Sequence, residues 1–334
     1  MSAPDQVLPS QTVTSQALTT PSAPGGKLAG ALGARRAARI GTLATLPAQL
    51  LLIFIIAFPT VVTVYISLTW WTPLDGTSWV EAYESWQWFD NYVEIFSDRN
   101  LGNALWVTIK IVAVAVFLEF LLGFGLAVLF VERFVAKPVY YALLLLPMMV
   151  VPAVSGYMFL ILFQSTGPVN QFVSWLIGEP FQLVWFTDAF WAQVVVVIAD
   201  VWQWTPMMFL ILLAGLLGVP EDQVKAARLL GANWAQILWR ISLPRIKGVI
   251  AIAIGIRVIE SLKLFDVMYI MTKGGPGTAT QTLSLYIYKR TYGDLEWAYV
   301  AALGLTIVIA MSLAAVSLLA LLRWRAKRSA GEIA

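Results

Sequence analysis

The chain has 334 residues, of which 59% are hydrophobic and 12% are charged, and its formal net charge is +3. A soluble globular domain is rarely more than half apolar, so this composition excludes a soluble enzyme or binding module and indicates a polytopic membrane protein. The sequence contains no cysteine and no histidine. This excludes disulfides, Cys/His zinc sites and a histidine general base.

The N-terminal region differs in composition from the rest of the chain. Residues 1 to about 34 are rich in Ser, Thr, Pro, Ala and Gly, which is typical of a disordered segment. A signal peptide is not expected, because the first apolar run begins near residue 42, far from the N-terminus. We therefore predict a disordered cytosolic tail over 1–41, a transmembrane domain over 42–322 and a basic cytosolic tail over 323–334.

Six apolar runs follow the tail, each close to the roughly 20 residues that a bilayer core requires. The predicted fold is therefore an all-α membrane protein with six transmembrane helices. The predicted spans are 42–68, 104–131, 139–163, 189–217, 248–272 and 297–322.

The distribution of positive charge predicts the orientation of these spans. An even number of spans places both termini on the same side of the membrane. Fifteen of the 22 Lys and Arg residues lie in the two tails, the 131–138 segment and the 219–248 loop, and four lie in the opposite loops. Because positive charge is retained on the cytosolic side, both termini and the 219–248 loop are predicted to be cytosolic.

The polar, basic stretch 219–248 is predicted to form a helix, a turn and a second helix. Pro220 is placed at the first helical position, and Gly231 is placed to end this helix in a left-handed conformation. Apolar residues at helical spacing over 234–241 indicate a second, amphipathic helix, which is expected to stop before Pro244. On these residues alone, a loop helix lying on the membrane surface is an equally good interpretation.

Two external loops are unusual in composition. The loop 69–103 contains five tryptophans, which we interpret as an interfacial aromatic belt in preference to a substrate platform. The loop 272–288 reads T-K-G-G-P-G-T-A-T-Q-T-L-S-L-Y-I-Y, and its glycines predict a tight turn. It is not a phosphate-binding loop, because no strand precedes it and no Gly-Lys-Ser/Thr ends it.

Charged residues inside a bilayer are costly, so they face protein or water. The predicted spans contain Lys110, Glu119, Asp200, Arg257, Glu260, Lys263 and Asp266. Arg257, Glu260 and Lys263 are three residues apart and share one flank of the fifth span. Either Arg257 and Glu260 neutralise each other in an internal salt bridge, or this flank contacts a solute. Lys263 lies nearer the outer leaflet and is a candidate for contact with an anionic group.

Four motifs in order resemble those of the maltose-type, carbohydrate ABC-importer permeases. They are W-Q-W-T-P at 202–206, A-G-L-L-G-V-P-E at 214–221, K-A-A-R-L-L-G-A with I-S-L-P in 225–244, and the G-G-P…T-x-T-L of the 272–288 loop. The third resembles the "EAA" loop, with two departures: Lys225 replaces the family's glutamate and Leu230 its frequent aspartate. The resemblance extends over about 42–322 and is to the larger permease subunit.

This resemblance implies a type I ABC-importer transmembrane domain that is a transport subunit and not an enzyme. It implies a sugar-like solute taken up by alternating access in a bacterial inner membrane. The implied partners are a second homologous permease in a heterodimer, two ATP-binding subunits, a periplasmic solute-binding protein and membrane lipid, with no nucleic acid. The chain has no Walker A motif, so no cofactor is expected on it and ATP would be bound by the partner subunit. No metal site is expected.

The resemblance also assigns candidate residues. The solute-binding candidates are Asp200, Gln203, Trp204 and Met207 in span four, Glu260, Ser261, Lys263 and Leu264 in span five, and Ser155, Gly156 and Tyr157 in span three. The ATPase-coupling candidates are Glu221, Lys225, Ala226, Ala227, Gly231, Leu243 and Pro244. Glu221 lies one turn before Lys225, so it is expected to pair with Lys225 and to offer the ATPase a carboxylate.

Two functions from other classes remain open on the sequence. An ion-gradient-driven secondary transporter would use Asp200, Glu119 and Lys110 as a proton relay. It would leave the 219–248 loop without a role, and no inverted repeat is evident. A structural membrane scaffold would leave the intramembrane charges unexplained.

Overall fold

The computed structural model describes residues 24–132 and 134–331. Within these residues the secondary structure is helical apart from one isolated bridge, between Thr69 and Trp86. The chain divides into two compact units, Met1–Val62 and Thr63–Ala334. The described part of the first unit is a stretch of one helix, and the packing discussed below lies within the second.

The helices are numbered in chain order. The first seven are α1 (Pro24–Ser67), α2 (Asp90–Ser97), α3 (Arg99–Val131), α4 (Lys137–Met149), α5 (Pro152–Leu162), α6 (Pro168–Ile177) and α7 (Ala189–Leu217). The others are α8 (Glu221–Leu229), α9 (Trp234–Ile237), α10 (Leu243–Ser261), α11 (Asp266–Met271), α12 (Leu283–Tyr292) and α13 (Trp297–Gly331). Two 3-10 turns, Pro73–Asp75 and Trp79–Ser85, precede α2, and a π-helical turn, Leu238–Ser242, joins α9 to α10.

The predicted all-α membrane fold is confirmed, but the count of six spans is not. Four described helices are long and apolar enough to cross a membrane: Thr45–Ser67 of α1, α3, α7 and Trp297–Ser317 of α13. The α4–α5 pair, bent by 96°, makes a fifth if it is counted as one span. The fifth predicted span, 248–272, is divided between α10 and the short helix α11. Six spans and cytosolic termini therefore stay predictions.

The two ends of the chain also differ from the sequence-based boundaries. Helix α1 begins at Pro24, although a disordered tail was predicted over 1–41; residues 1–23 lie outside the described residues. From residue 27 onward the tail is rich in Ala, Leu and Arg, which are strong helix formers and extend the apolar helix backwards. At the other end α13 is helical as far as Gly331, into the predicted basic tail 323–334.

The core of the second unit is arranged around α7, whose side chains are buried on several faces. Its Val195 and Val196 pack with Ile111 of α3 in one hydrophobic cluster, and its Met208 and Phe209 lie in a second. Small residues permit this close packing. A Cβ atom at Gly123 of α3 would lie 2.9 Å from the Met208 side chain, so only glycine allows α3 to approach α7 so closely here.

Candidate functional site

Three charged side chains meet in the buried interior of the second unit. Arg257 of α10 donates from Nε and Nη2 to both carboxylate oxygens of Glu119 on α3, at 2.6 and 2.8 Å. Arg257 Nη2 also donates to Asp200 Oδ2 on α7, at 2.6 Å. None of the three side chains is more than 2% exposed. The planar guanidinium suits two-point contact with a carboxylate, so this ion triad fixes three helices against one another.

Arg257 does not pair with Glu260, which the sequence left open as one of two alternatives. Glu260 instead bonds Lys263, with Lys263 Nζ 3.2 Å from Glu260 Oε1. That pair is on the surface, with side-chain exposures of 68% for Lys263 and 44% for Glu260. A buried guanidinium needs buried counter-charges, and Glu119 and Asp200 on the facing helices provide them.

The span-four candidates lie on two faces of α7. Asp200 and Gln203 are 1% exposed, whereas Trp204 and Met207 are half-buried. Gln203 Nε2 donates to the carbonyl of Val150 at 2.7 Å, at the break between α4 and α5 where the helical hydrogen bonds are interrupted. Trp204 is tied to the triad, because the Arg257 guanidinium lies 5.0 Å from its ring centroid in a cation–π contact.

The span-three candidates are separated by the structure. Ser155 and Gly156 are buried, while Tyr157 is 58% exposed. A Cβ atom at Gly156 would lie 3.3 Å from Ile270 of α11, so this glycine sets the spacing between α5 and α11. The structure therefore places Ser155 and Gly156 at a helix contact and Tyr157 on another face.

The span-five candidates surround the break between α10 and α11. Glu260 and Lys263 are exposed; Ser261 is buried and donates to the Arg257 carbonyl at 2.8 Å. Leu264 packs against the cluster that contains Val195. The ionic side chains of this segment are thus exposed, whereas Ser261 and Leu264 pack towards the core.

Hydroxyl groups of the external loop satisfy carbonyls freed by that break. Thr282 Oγ1 donates to the Leu264 carbonyl at 3.0 Å, and Ser284 Oγ donates to the Leu262 carbonyl at 3.2 Å. Unpaired backbone carbonyls in a membrane cost several kcal/mol, so these contacts allow span five to be broken. The sequence reveals the T-x-T-L motif but not this role, because the residues are about 20 positions apart.

A second polar cluster, missed by the sequence, lies at the N-terminal end of α3. Asp98 caps α3 by accepting from two amides of its first turn. Its Oδ2 also accepts from the hydroxyls of Tyr286 and Tyr299, the latter at 2.8 Å. Arg290 bonds the Tyr286 hydroxyl at 2.8 Å and both oxygens of Glu296 at 2.6 Å. These five side chains join α3, α12 and α13, and we call them the external clamp after the side on which the sequence predicts them.

The electrostatics of the clamp favour an ionised carboxylate. Burial by itself raises the pKa of Asp98, but the Tyr286 and Tyr299 hydroxyls and the amides of the α3 first turn outweigh it. The pKa of Asp98 therefore lies below its ordinary value of 3.8.

The 219–248 loop forms two helical segments, as predicted, with shifted ends. Pro220 is the N-cap of α8 and not its first residue, a difference of one position. Gly231 has a φ of +81°, which confirms the predicted left-handed conformation. The predicted stop before Pro244 is wrong, because the π-helical turn continues into α10. Pro244 is the second residue of α10 and follows the π-helical turn directly.

Most of the ATPase-coupling candidates are exposed to solvent. Lys225 Nζ lies 2.7 Å from Glu221 Oε2, which confirms the expected pair, and both side chains are exposed. Ala226, Gly231 and Pro244 are exposed, whereas Ala227 and Leu243 are half-buried.

A known protein family matches most of this architecture. The family described as "Binding-protein-dependent transport system inner membrane component" matches residues 119–330. The chain belongs to this family of permeases. The match includes α7, the 219–248 loop and the broken fifth span, and it begins at Glu119 of the ion triad.

Similar proteins in this family are named as ABC-transporter permeases. A probable ABC transporter permease of Sinorhizobium fredii is 34% identical over 80% of this chain and 87% of its own length. The trehalose/maltose transport permease MalF of Thermococcus litoralis is 34% identical over 72% of this chain and 83% of its own. The sulfoquinovosyl glycerol permease SmoG of Agrobacterium fabrum is 32% identical over 80% and 84%. These relatives confirm the resemblance that the motifs indicated.

A solved structure shows the same fold. The permease resembles a chain of a bacterial ABC transporter involved in the import of the acidic polysaccharide alginate, with a TM-score of 0.71. The two chains are 18% identical, and the superposition covers 84% of this chain and 94% of that one. This comparison supports the ABC-importer transmembrane fold.

Proposed function

We propose that this permease is one transmembrane subunit of an ATP-driven importer for a sugar or sugar-like solute. The solute class is a monosaccharide, oligosaccharide, polyol, glycoside or anionic sugar derivative. A periplasmic binding protein delivers it, and alternating access in a bacterial inner membrane moves it inward. The partners are a second homologous permease, two ATP-binding subunits and the binding protein, and ATP is bound by the partner subunits.

The observation that carries the ATP-driven mechanism is the exposed helical segment α8. Leu229 and Leu230 at its end are 89% and 88% exposed, although both are large and apolar. Glu221 and Lys225 lie one turn apart at its start and are exposed too. Exposed apolar side chains rimmed by charges are typical of a protein-interaction site. A docked ATPase would cover this segment, and a rigid α8 would transmit its movement to the spans.

The sugar class is supported by the relatives and by the chemistry of span five. Two of the relatives above are named for trehalose/maltose and sulfoquinovosyl glycerol transport. Glu260 and Lys263 are exposed within a predicted membrane span, where lipid would not solvate them. A polar path shared with a second permease would solvate them. The ionic groups beside Ser261 also provide hydrogen-bonding partners for the hydroxyl groups of a sugar.

The energy source tests this proposal directly. The permease, co-expressed with its partner subunits, is purified and reconstituted in proteoliposomes with its binding protein, and uptake of radiolabelled trehalose, maltose and glucose is measured. Uptake should require ATP inside the liposomes and should survive collapse of the proton gradient by an uncoupler. Uptake that follows the proton gradient and ignores ATP would replace this proposal with an ion-driven transporter.

A further inference from the structure

Four aromatic rings form one connected group beside the break in span five, with three of them in mutual contact and the fourth attached to Tyr288. It consists of Phe265, Tyr269, Tyr288 and Tyr292, and we call it the aromatic ladder. Phe265 lies 5.4 Å from Tyr269 and 5.0 Å from Tyr288, measured between ring centroids. Tyr288 lies 5.1 Å from Tyr269 and 5.0 Å from Tyr292. The rings therefore form an unbroken surface across α11 and α12.

The ladder has a packed side and an open side. Phe265 and Tyr288 are partly buried against the cluster that contains Val195. Tyr269 is 37% exposed and Tyr292 is 67% exposed. Exposure thus increases from the membrane interior towards the end of α12, and the rings are supported from behind by the core.

The charges beside the ladder decide what covers its open side. Lys263 and Asp266, both exposed, flank Phe265 in sequence, and Glu260 lies one helical turn earlier. Lipid does not cover a segment with three exposed charges, because their transfer to hydrocarbon costs several kcal/mol each. A water-filled path covers this segment instead. Phe117 on α3 is a contrast, since it is 60% exposed but its neighbours on the helix face, Val114 and Leu121, are apolar.

From these observations we infer that the aromatic ladder is the track along which sugar rings pass between the external mouth and the Glu260–Lys263 pair. The inference rests on the proposed function. A pyranose ring presents an apolar C–H face that stacks on an aromatic ring, while its hydroxyls need polar partners. Tyrosine supplies both in one side chain, and rings at even spacing allow the sugar to move from one to the next without losing all contact.

The decisive variants remove the ring or keep it. Tyr269→Leu and Tyr288→Leu remove one stacking surface each, and Tyr269→Phe and Tyr288→Phe preserve it; Phe117→Leu is the matched control on an apolar face. The complete importer is reconstituted with saturating binding protein, and radiolabelled trehalose or maltose imported per ATP hydrolysed is measured. Import per ATP should fall about five- to tenfold in the leucine variants. It should fall less in the phenylalanine variants, which keep the ring but lose the hydroxyl, and Phe117→Leu should match the wild type. The sugar concentration for half-maximal uptake should not change, because the binding protein sets it.

Solvent access gives an independent readout that does not depend on the identity of the sugar. The chain contains no cysteine, so single cysteines can be introduced without removing native ones. Tyr269→Cys and Tyr292→Cys in the complete importer should react with a membrane-impermeant maleimide, above the background of the unsubstituted complex, and Phe117→Cys should not. Added trehalose or maltose with binding protein and ATP should slow the reaction at Tyr269→Cys.

The outcomes separate the ladder from the broader function. If the wild type imports either disaccharide and the leucine variants match it, the ladder is not the sugar track, although the importer assignment stands. An unreactive Tyr269→Cys beside a correctly assembled complex overturns the track as well. A wild type that hydrolyses ATP but imports neither disaccharide excludes trehalose and maltose as solutes and overturns the track for them.

Discussion

At the scale of single residues, Arg257 is the centre of the buried polar contacts. It bonds Glu119 and Asp200, which are 138 and 57 residues away in sequence, and its guanidinium also contacts the Trp204 ring. The Oδ2 oxygen of Asp200 is therefore held by the Arg257 guanidinium, whereas its Oδ1 oxygen has no hydrogen-bond partner within the described residues. Loss of Asp200 is expected to weaken the fold as well as any contact with solute.

The Arg257→Met variant should be severely destabilised. It leaves the two carboxylates of Glu119 and Asp200 buried without a counter-charge, and breaking a buried ion pair in this way costs about 3–5 kcal/mol. The expected result is little assembled complex and a lower Tm in detergent. Wild-type stability of Arg257→Met would contradict a structural role for the triad.

A combined variant distinguishes structure from transport at this site. Replacing Glu119 by Leu, Asp200 by Leu and Arg257 by Met removes all three charges together, and replacing a buried ion triad by hydrophobic residues of similar volume is often neutral. Most of the lost stability should return. If the combined variant assembles but does not import solute, the charges serve transport in addition to stability.

The Lys263→Gln variant should affect uptake without affecting stability. The Glu260–Lys263 pair is 3.2 Å apart and exposed, so it contributes less than about 1 kcal/mol to folding. If Lys263 contacts an anionic group of the solute, uptake should fall while Tm and basal ATPase activity stay unchanged. If Lys263 serves only to neutralise Glu260, the double variant with Glu260→Gln should restore uptake, which separates the two roles.

At the scale of helices, the 219–248 loop and the broken span five differ most from the helices that the sequence pattern predicts. The π-helical turn lets the chain pass from α9 into α10 without the stop that Pro244 predicts. The break at 262–265 is stabilised by Thr282 and Ser284 from the next loop. In both places a neighbouring segment overrides the local preference of the sequence.

The Gly231→Val variant tests the turn between α8 and α9. Gly231 has a φ of +81°, and a Cβ atom there meets nothing within 4 Å, so the cost is backbone strain alone, about 1–2 kcal/mol. The protein should remain in the membrane but lose bound ATPase and solute-stimulated hydrolysis, both measured after co-purification. Gly248→Ala in α10 is the matched control, since it has equal space and no positive φ. Normal coupling in Gly231→Val would mean that this turn does not shape the docking surface.

At the scale of the whole molecule, the external clamp joins parts of the chain that are far apart in sequence. Asp98 meets Tyr286 and Tyr299 across 188 and 201 residues. The clamp therefore fixes the N-terminal ends of α3 and α13 to α12, whose first residues support the break in span five.

The Asp98→Asn variant should lower stability in a pH-dependent way. The pKa of Asp98 is depressed in the folded protein, so its carboxylate stabilises the fold above the unfolded pKa, and this contribution is lost as pH falls through the folded pKa. At pH 7, Asp98→Asn should therefore lower the free energy of unfolding by about 1–3 kcal/mol, which is measured as a lower Tm. The difference in Tm from the wild type should shrink below about pH 4. The exposed carboxylate Glu84, changed to Gln, is the control and should show neither effect.

The sequence by itself determined the class of protein, most of the spans and the family. Long apolar runs, the balance of positive charge and the motifs at 202–206, 214–221 and 272–283 are local patterns, and local hydrophobicity and glycine or proline geometry are enough to read them. The same holds for Gly231 and for the Glu221–Lys225 pair, because their partners lie within one helical turn.

Only the tertiary structure decided which charges meet, which faces are open and where span five is broken. Arg257 could pair with Glu260 on spacing alone, yet packing around α7 brings Glu119 and Asp200 to it and turns Glu260 outward. The external clamp and the aromatic ladder likewise combine residues from separate helices. Their physical basis is the burial of charge and the packing of rings across helix contacts, and neither leaves a periodic signal in the chain.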